Sequence, residues 1–90
     1  MIERKLTIQS RLGFHARAAA MFAKEAERFP CTVELEKNGL RVNAKSIMGI
    51  LMIVAPFGSE LTLIVHGPDE EACAEALVRF VESGFEEENA

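Results

Sequence analysis

The sequence predicts an α+β fold, an open-faced β-sandwich in which three helices cover one face of a four-stranded antiparallel sheet. Segments with apolar residues at every second position alternate with segments whose apolar residues recur at helical spacing, in the order β-α-β-β-α-β-α. An Asn38-Gly39 pair between two alternating segments is typical of a tight hairpin. So few strands can pack against three helices only if the helices share one side. With 90 residues, positions 1–90 are expected to form one domain.

The first third of the chain predicts a strand and a long helix. Residues 2–8 alternate weakly and indicate a strand, and a loop containing Gly13 follows. Residues 16–29 indicate a helix that Pro30 ends. Its apolar positions share one face, which is expected to be buried, and they are Ala19, Phe22, Ala23, Ala26 and Phe29.

The middle of the chain predicts a hairpin followed by a short helix. Residues 31–36 and 40–44 alternate on either side of the Asn38-Gly39 turn. Ser46 is of the residue type that caps a helix amino end. We expect this second helix to bury one stripe and to leave Met48 and Met52 on its flank. The expected stripe consists of Ile47, Ile50, Leu51 and Val54.

The last third predicts a strand over residues 61–65 and a final helix after Gly67-Pro68. The inward stripe of this helix is expected to contain Cys73, Ala76, Leu77, Phe80 and Val81. Gly84 followed by Phe85 resembles a Schellman stop. The acidic residues 86–88 then predict a solvated tail.

Composition narrows the function classes. The net charge of −4, from 10 basic and 14 acidic residues, argues against a nucleic-acid partner. No apolar run approaches the roughly 20 residues that a membrane span needs, and the amino end is unlike a signal peptide. Cys31 and Cys73 lack CxxC spacing, so we expect two reduced, buried thiols, no metal site and a cytoplasmic location.

The most informative segment runs from Gly13 to Ala20 and places His15 at the start of the first helix. The N–H groups of Ala16, Arg17 and Ala18 begin that helix, where unpaired donors and the helix dipole favour an anion. Arg17 adds a fork that can hold phosphate oxygens. These residues predict a phosphate site at His15. A simple cap or bystander histidine remains the alternative at this level.

The same residues resemble a known family. Gly13, His15, Ala16 and Arg17, opening an Ala-rich helix, are similar to the active-site motif of the histidine-containing phosphocarrier (HPr) family of the bacterial phosphotransferase system. Residues 44–49, Ala-Lys-Ser-Ile-Met-Gly, are similar to its second, regulatory motif. The resemblance covers nearly the whole chain. Ala18 stands where the family usually has proline, and Phe14 where it usually has leucine or methionine.

The resemblance implies a phosphocarrier and not an enzyme, with the same βαββαβα fold, no cofactor and a monomeric state. Enzyme I, charged by phosphoenolpyruvate, would phosphorylate His15 on Nδ1, and the group would pass to a IIA-type protein. Arg17 would stabilise the phosphate. An HPr kinase/phosphorylase would modify Ser46 where the organism has one. Ala18, and the Ser83-Gly84-Phe85 segment with the acidic tail after it, resemble nitrogen-branch or regulatory proteobacterial members more than sugar-transport ones.

Ser46 and an apolar surface beside His15 are further candidate functional features. Ser46 is either a helix cap alone or a cap that is also phosphorylated. The partner interface is expected to lie beside His15, because methionine is an adaptable contact residue, and to consist of Phe14, Ile47, Met48, Leu51 and Met52.

Three rival functions are weighed against the phosphocarrier. An RNA-binding plait would need strand aromatics, and a phosphatase would need a general acid; the sequence provides neither. A regulatory relative acting only through Ser46 would not need His15 and Arg17.

Overall fold

The elements follow one another in the predicted order. The computed structural model describes residues 1–85, so the predicted acidic tail at residues 86–88 lies outside the described residues. The strands are β1 (Ile2–Thr7), β2 (Thr32–Lys37), β3 (Leu40–Asn43) and β4 (Glu60–His66). The helices are α1 (Ala16–Glu27), α2 (Ile47–Met52) and α3 (Glu70–Glu82).

The strands form one antiparallel sheet in the order β1-β4-β2-β3. Leu35 in β2 pairs with Leu63 of β4 on one side and with Val42 of β3 on the other, and Leu6 of β1 pairs with Leu61. These residues are buried in one core together with Phe22 of α1, Ile50 of α2 and Leu77 of α3. The predicted open-faced sandwich is therefore confirmed, because one face of the sheet supplies the core that the helices cover.

The hairpin between β2 and β3 has the geometry that its sequence predicts. Asn38 and Gly39 both have positive φ, 52° and 85°. Two successive residues with positive φ form the turn type that matches the twist of paired strands, and the Asn-Gly pair is preferred there because it tolerates this conformation. The local sequence alone was sufficient to identify this turn.

The first helix ends two residues earlier than predicted, at Glu27 instead of Phe29. Arg28 and Phe29 continue with i to i−3 hydrogen bonds, from Arg28 N–H to Glu25 oxygen and from Phe29 N–H to Ala26 oxygen. The residue before a proline is disfavoured in the helical region, so Pro30 acts on Phe29 as well as on itself.

The predicted buried stripe of α2 is wrong at three of its positions. Ile50 is buried, but Ile47, Leu51 and Val54 are exposed, and Ile53 is buried in their place. The helix has only six residues and ends at Ile53, whose backbone is extended (φ −86°, ψ 108°). Helical spacing therefore does not extend to Val54, and a helix this short presents a single position to the core. In α3, Ala74 is buried where Ala76 was predicted, and Ala76 is half-buried.

We expect Gly13→Ala to lower the free energy of unfolding by about 3 kcal/mol, measured by urea denaturation. A Cβ atom at Gly13 would lie 2.8 Å from the Ala55 carbonyl oxygen, and the residue has φ +72°. Gly58→Ala is the matched control, because Gly58 has φ +86° with no atom within 4 Å of the added carbon. The control should lose only the left-handed penalty of about 1 kcal/mol. Equal losses would show that the contact with Ala55 does not matter.

Candidate functional site

The loop before α1 is held by a compact turn. Ser10 is buried, its hydroxyl oxygen accepts a hydrogen bond from Leu12 N–H at 3.2 Å, and its carbonyl oxygen accepts one from Gly13 N–H at 3.0 Å. Gly13 then adopts φ +72°, which brings its backbone against Ala55 and Pro56. A side chain at Gly13 would prevent this approach, so the sequence motif requires glycine there.

Phe14 connects this loop to the segment after α2. Its N–H donates to the Ala55 carbonyl oxygen at 2.9 Å. Its ring is 6% exposed and packs against Phe22 at 5.4 Å and Phe85 at 4.9 Å between ring centroids. The prediction that Phe14 contributes to a partner interface is therefore wrong. A large apolar side chain next to an exposed site suggests a contact residue, but here the core buries it.

His15 occupies the N-cap position of α1 with an extended backbone (φ −81°, ψ 177°). Its carbonyl oxygen accepts the first helical hydrogen bond, from Ala19 N–H at 2.8 Å, while its side chain makes no capping hydrogen bond to the helix. The imidazole is half-exposed. His15 therefore starts the helix through its backbone.

The first turn of α1 begins directly after His15. The N–H groups of Ala16, Arg17 and Ala18 precede the first helical hydrogen bond, so their usual acceptors would lie before the helix. Arg17 and Ala16 are exposed, whereas Ala18 is buried. The helix begins normally although Ala18 replaces the proline that is usual in the family. Alanine is the best helix former, so the missing proline has no visible cost here.

Ser46 is the N-cap of α2. Its hydroxyl oxygen accepts a hydrogen bond from Gly49 N–H at 3.1 Å, and its carbonyl oxygen accepts one from Ile50 N–H at 3.0 Å. A Cβ at Gly49 would lie 2.9 Å from the Asn43 carbonyl oxygen, so the glycine is part of the same tight start. The capping role predicted for Ser46 is confirmed. Its side chain is half-buried at the surface of this turn.

Four apolar side chains of α2 are exposed and form one surface, here called the α2 patch. Met48 and Met52 are 73% and 64% exposed. The other members are Ile47 and Leu51. The helix packs against α1, and the segment that follows it bonds to Phe14. The bond from Phe14 N–H to Ala55 thus ties the segment after α2 to the loop that carries His15.

Further exposed apolar residues lie outside the predicted partner interface. Val54 is exposed after the end of α2, and Phe57 and Leu12 are exposed in turns. Phe57 lies next to Gly13, since its backbone nitrogen is 3.4 Å from the Cβ position of that glycine. The signal was the Pro56-Phe57-Gly58 sequence, because an aromatic residue inside a turn has no helix or strand face on which to be buried.

The two cysteines are free and buried, as predicted. Burial, together with a hydrogen bond to the Cys31 thiol, raises the pKa of Cys73 to about 12. A thiol in this state is protonated at neutral pH and unreactive. Within residues 1–85, no group of three or more histidine, cysteine or acidic side chains could hold a metal ion. No helix in that range is long and apolar enough to cross a membrane.

Comparisons with known proteins agree with this geometry. Residues 2–83 match the family described as the PTS HPr component phosphorylation site. The chain is 44% identical to the phosphocarrier protein HPr of Treponema pallidum, covering 98% of this chain and 100% of that one. It is also 44% identical to the HPr-like protein Crh of Halalkalibacterium halodurans, covering 91% and 98%.

Solved structures show the same fold. HPr of Thermoanaerobacter tengcongensis superposes with a TM-score of 0.91 at 41% identity, covering 94% of this chain and 96% of that one. A second structure from that organism, an HPr dimer, gives 0.75 at 41% identity, covering 94% and 98%. Fold and family together define a phosphocarrier class of protein. Within it, this chain belongs to the histidine-containing phosphocarrier (HPr) family of the phosphotransferase system.

Proposed function

We propose that this protein receives a phosphoryl group on His15 from enzyme I, charged by phosphoenolpyruvate, and passes it to a IIA-type protein. The observation that carries the proposal is the position of His15. It is the half-exposed N-cap residue of α1, directly before the amides of Ala16, Arg17 and Ala18. A helix amino end at this position can bind an anion such as phosphate.

The chemistry needs one nucleophilic atom and a cradle. Nδ1 of His15 attacks phosphorus, and the new N–P bond forms as the donor's bond to phosphorus breaks. The same exchange in reverse direction delivers the group to the acceptor. Arg17 and the first amides of α1 stabilise the phosphate charge, since a guanidinium fork and a helix amino end both favour phosphate oxygens. The chain acts as a carrier, and the docking partner completes the reaction site.

Incubation with phosphoenolpyruvate and enzyme I should add one acid-labile phosphate per chain, read by native mass spectrometry. His15→Ala should accept none, because the nucleophile is lost. His66→Ala is the matched control, since His66 is the second of the two histidines and ends β4. An unmodified parent protein would contradict the proposal and leave the regulatory-only reading. The same spectra test the monomeric state that we propose, against a dimer such as the Thermoanaerobacter one.

We also propose a cytoplasmic location and a nitrogen-branch role. Ala18, the Ser83-Gly84-Phe85 segment and the acidic residues that follow it support the nitrogen branch. The phosphorylated protein, offered a nitrogen-class and a sugar-class IIA protein together, should transfer to the first faster. Faster transfer to the sugar-class acceptor would contradict this assignment.

Ser46 is proposed as a regulatory phosphorylation site in addition to its capping role. Its half-buried hydroxyl lies at the start of the helix whose exposed side forms the α2 patch. A phosphate there would add close to two negative charges beside the docking surface. Added negative charge at a docking surface changes the association of this protein with its partner more than it changes the fold.

Substitutions at Ser46 should separate the two roles. Ser46→Asp keeps a capping oxygen but adds charge, so transfer from enzyme I should fall by about tenfold while stability holds. Ser46→Ala should lose about 1 kcal/mol in urea denaturation, because Gly49 N–H loses its acceptor, yet transfer at normal speed. Ser46→Asn, which caps without charge, is the control. Parent-like transfer by Ser46→Asp would contradict the regulatory role.

The α2 patch and Arg17 are proposed to form the docking surface. Arg17→Glu with Met48→Glu should raise the KM of enzyme I for this protein by about tenfold or more, because both side chains are exposed members of the proposed surface. The fold should persist by circular dichroism. Ala72→Glu with Arg79→Glu makes the same charge change on exposed positions of α3 and is the matched control. If the control raised KM equally, net charge and not the patch would be responsible.

A further inference from the structure

Phe85, after the end of α3, contacts the residue that precedes His15. Its ring lies 4.9 Å from the ring of Phe14, with 33° between the planes, and it is fully buried. Phe14 also meets Phe22 edge-on at 5.4 Å, and Phe85 meets Phe80 at 5.8 Å. The start of α1 and the end of α3 are therefore joined through one aromatic cluster, here defined as Phe14, Phe22, Phe80 and Phe85.

The backbone around Phe85 is built to deliver this ring. Phe85 N–H donates to the Phe80 carbonyl oxygen at 3.1 Å, and Gly84 N–H donates to the Val81 carbonyl oxygen at 3.0 Å. These are the two hydrogen bonds of a Schellman motif, which confirms the predicted stop at Gly84. The motif reverses the chain at the end of α3, so the ring of Phe85 points back toward the core instead of leaving with the chain.

Phe85 itself adopts φ +61°. A bulky side chain avoids the left-handed region, because its Cβ crowds the following carbonyl group. Such a conformation persists only where the surroundings impose it. Here the imposing contacts are the buried faces of Phe14 and Phe80. Burial of the ring thus holds a conformation that the isolated residue would leave.

The cluster reaches the phosphohistidine position through Phe14. The N–H of Phe14 is fixed on Ala55, and its ring is fixed by Phe85 and Phe22. The next residue is His15, whose carbonyl oxygen is fixed by Ala19 N–H. The backbone that carries the imidazole is therefore restrained from both sides, and the restraint on its amino side includes a residue from the far end of the sequence.

We propose that Phe85 is a positioning residue for His15, acting through the ring of Phe14 as an aromatic latch that sets the direction of the imidazole toward the docked partner. The inference rests on the proposed phosphocarrier function. It explains why an aromatic residue at position 14 is buried beneath the site instead of facing partners. A misplaced nucleophile lowers the rate of an in-line transfer even when docking is unchanged.

The test compares Phe85→Leu, Phe14→Ala and the double variant, with Leu35→Ala as a matched core variant in the sheet. Leu35 is fully buried in β2 and is not one of the four residues of the aromatic cluster. Enzyme I kinetics at varied protein concentration separate kcat from KM. In parallel, the NMR signals of the His15 ring are followed against those of His66, which serves as an internal reference in every variant.

We expect Phe85→Leu to lower kcat by about tenfold with KM nearly unchanged, and to shift and broaden the His15 ring signals while His66 is unaffected. The double variant should be little slower than Phe85→Leu alone, since both changes open one latch. Leu35→Ala should keep the parent kcat although it lowers stability.

Parent-like kcat and His15 signals in Phe85→Leu would overturn the latch, as would an equal loss of kcat in Leu35→Ala. If the parent protein accepted no phosphate at all, the proposed carrier function would fail by itself. The NMR comparison would then still decide the latch, because it reads the order of the His15 ring without any phosphoryl transfer.

Discussion

The contact between the Gly13-Phe14 backbone and the chain at Ala55 is the constraint on which the site depends. Gly13 at positive φ lets two backbone segments approach so closely that a Cβ would lie 2.8 Å from the Ala55 carbonyl oxygen. The Phe14 N–H then bonds to that same oxygen at 2.9 Å. One contact thereby fixes the loop before His15 and joins it to the segment that follows α2.

The rest of the site follows from this contact. Because the loop is fixed, α1 begins at Ala16, and the N–H groups of its first turn directly follow His15. Because the segment after α2 is bonded to the same loop, α2 is tied to the part of the chain that carries His15.

The short second helix shows how stability and recognition divide a small chain. Ile50 and Ile53 anchor it in the core, and nearly all its other apolar side chains remain in water. Large apolar residues exposed side by side mark an interaction surface more often than single scattered ones do. At the opposite end of the sequence, Phe85 shows the reverse case, in which an aromatic residue accepts an unfavourable backbone conformation because the core buries its ring.

Patterns that act over a few residues determined much of this protein from sequence alone. The Asn38-Gly39 hairpin, the Ser46 cap, the Gly84 stop and the element order were all predictable, because local hydrogen bonding and periodicity fix them. Tertiary structure decided which apolar residues are buried. Phe14 is predicted for a surface and lies in the core, and Val54 is predicted for a core stripe and is exposed. Ile47 and Leu51, which the sequence places both in that stripe and in the partner interface, are exposed. Burial depends on where distant elements pack, and a six-residue helix is too short for periodicity to show which side faces them.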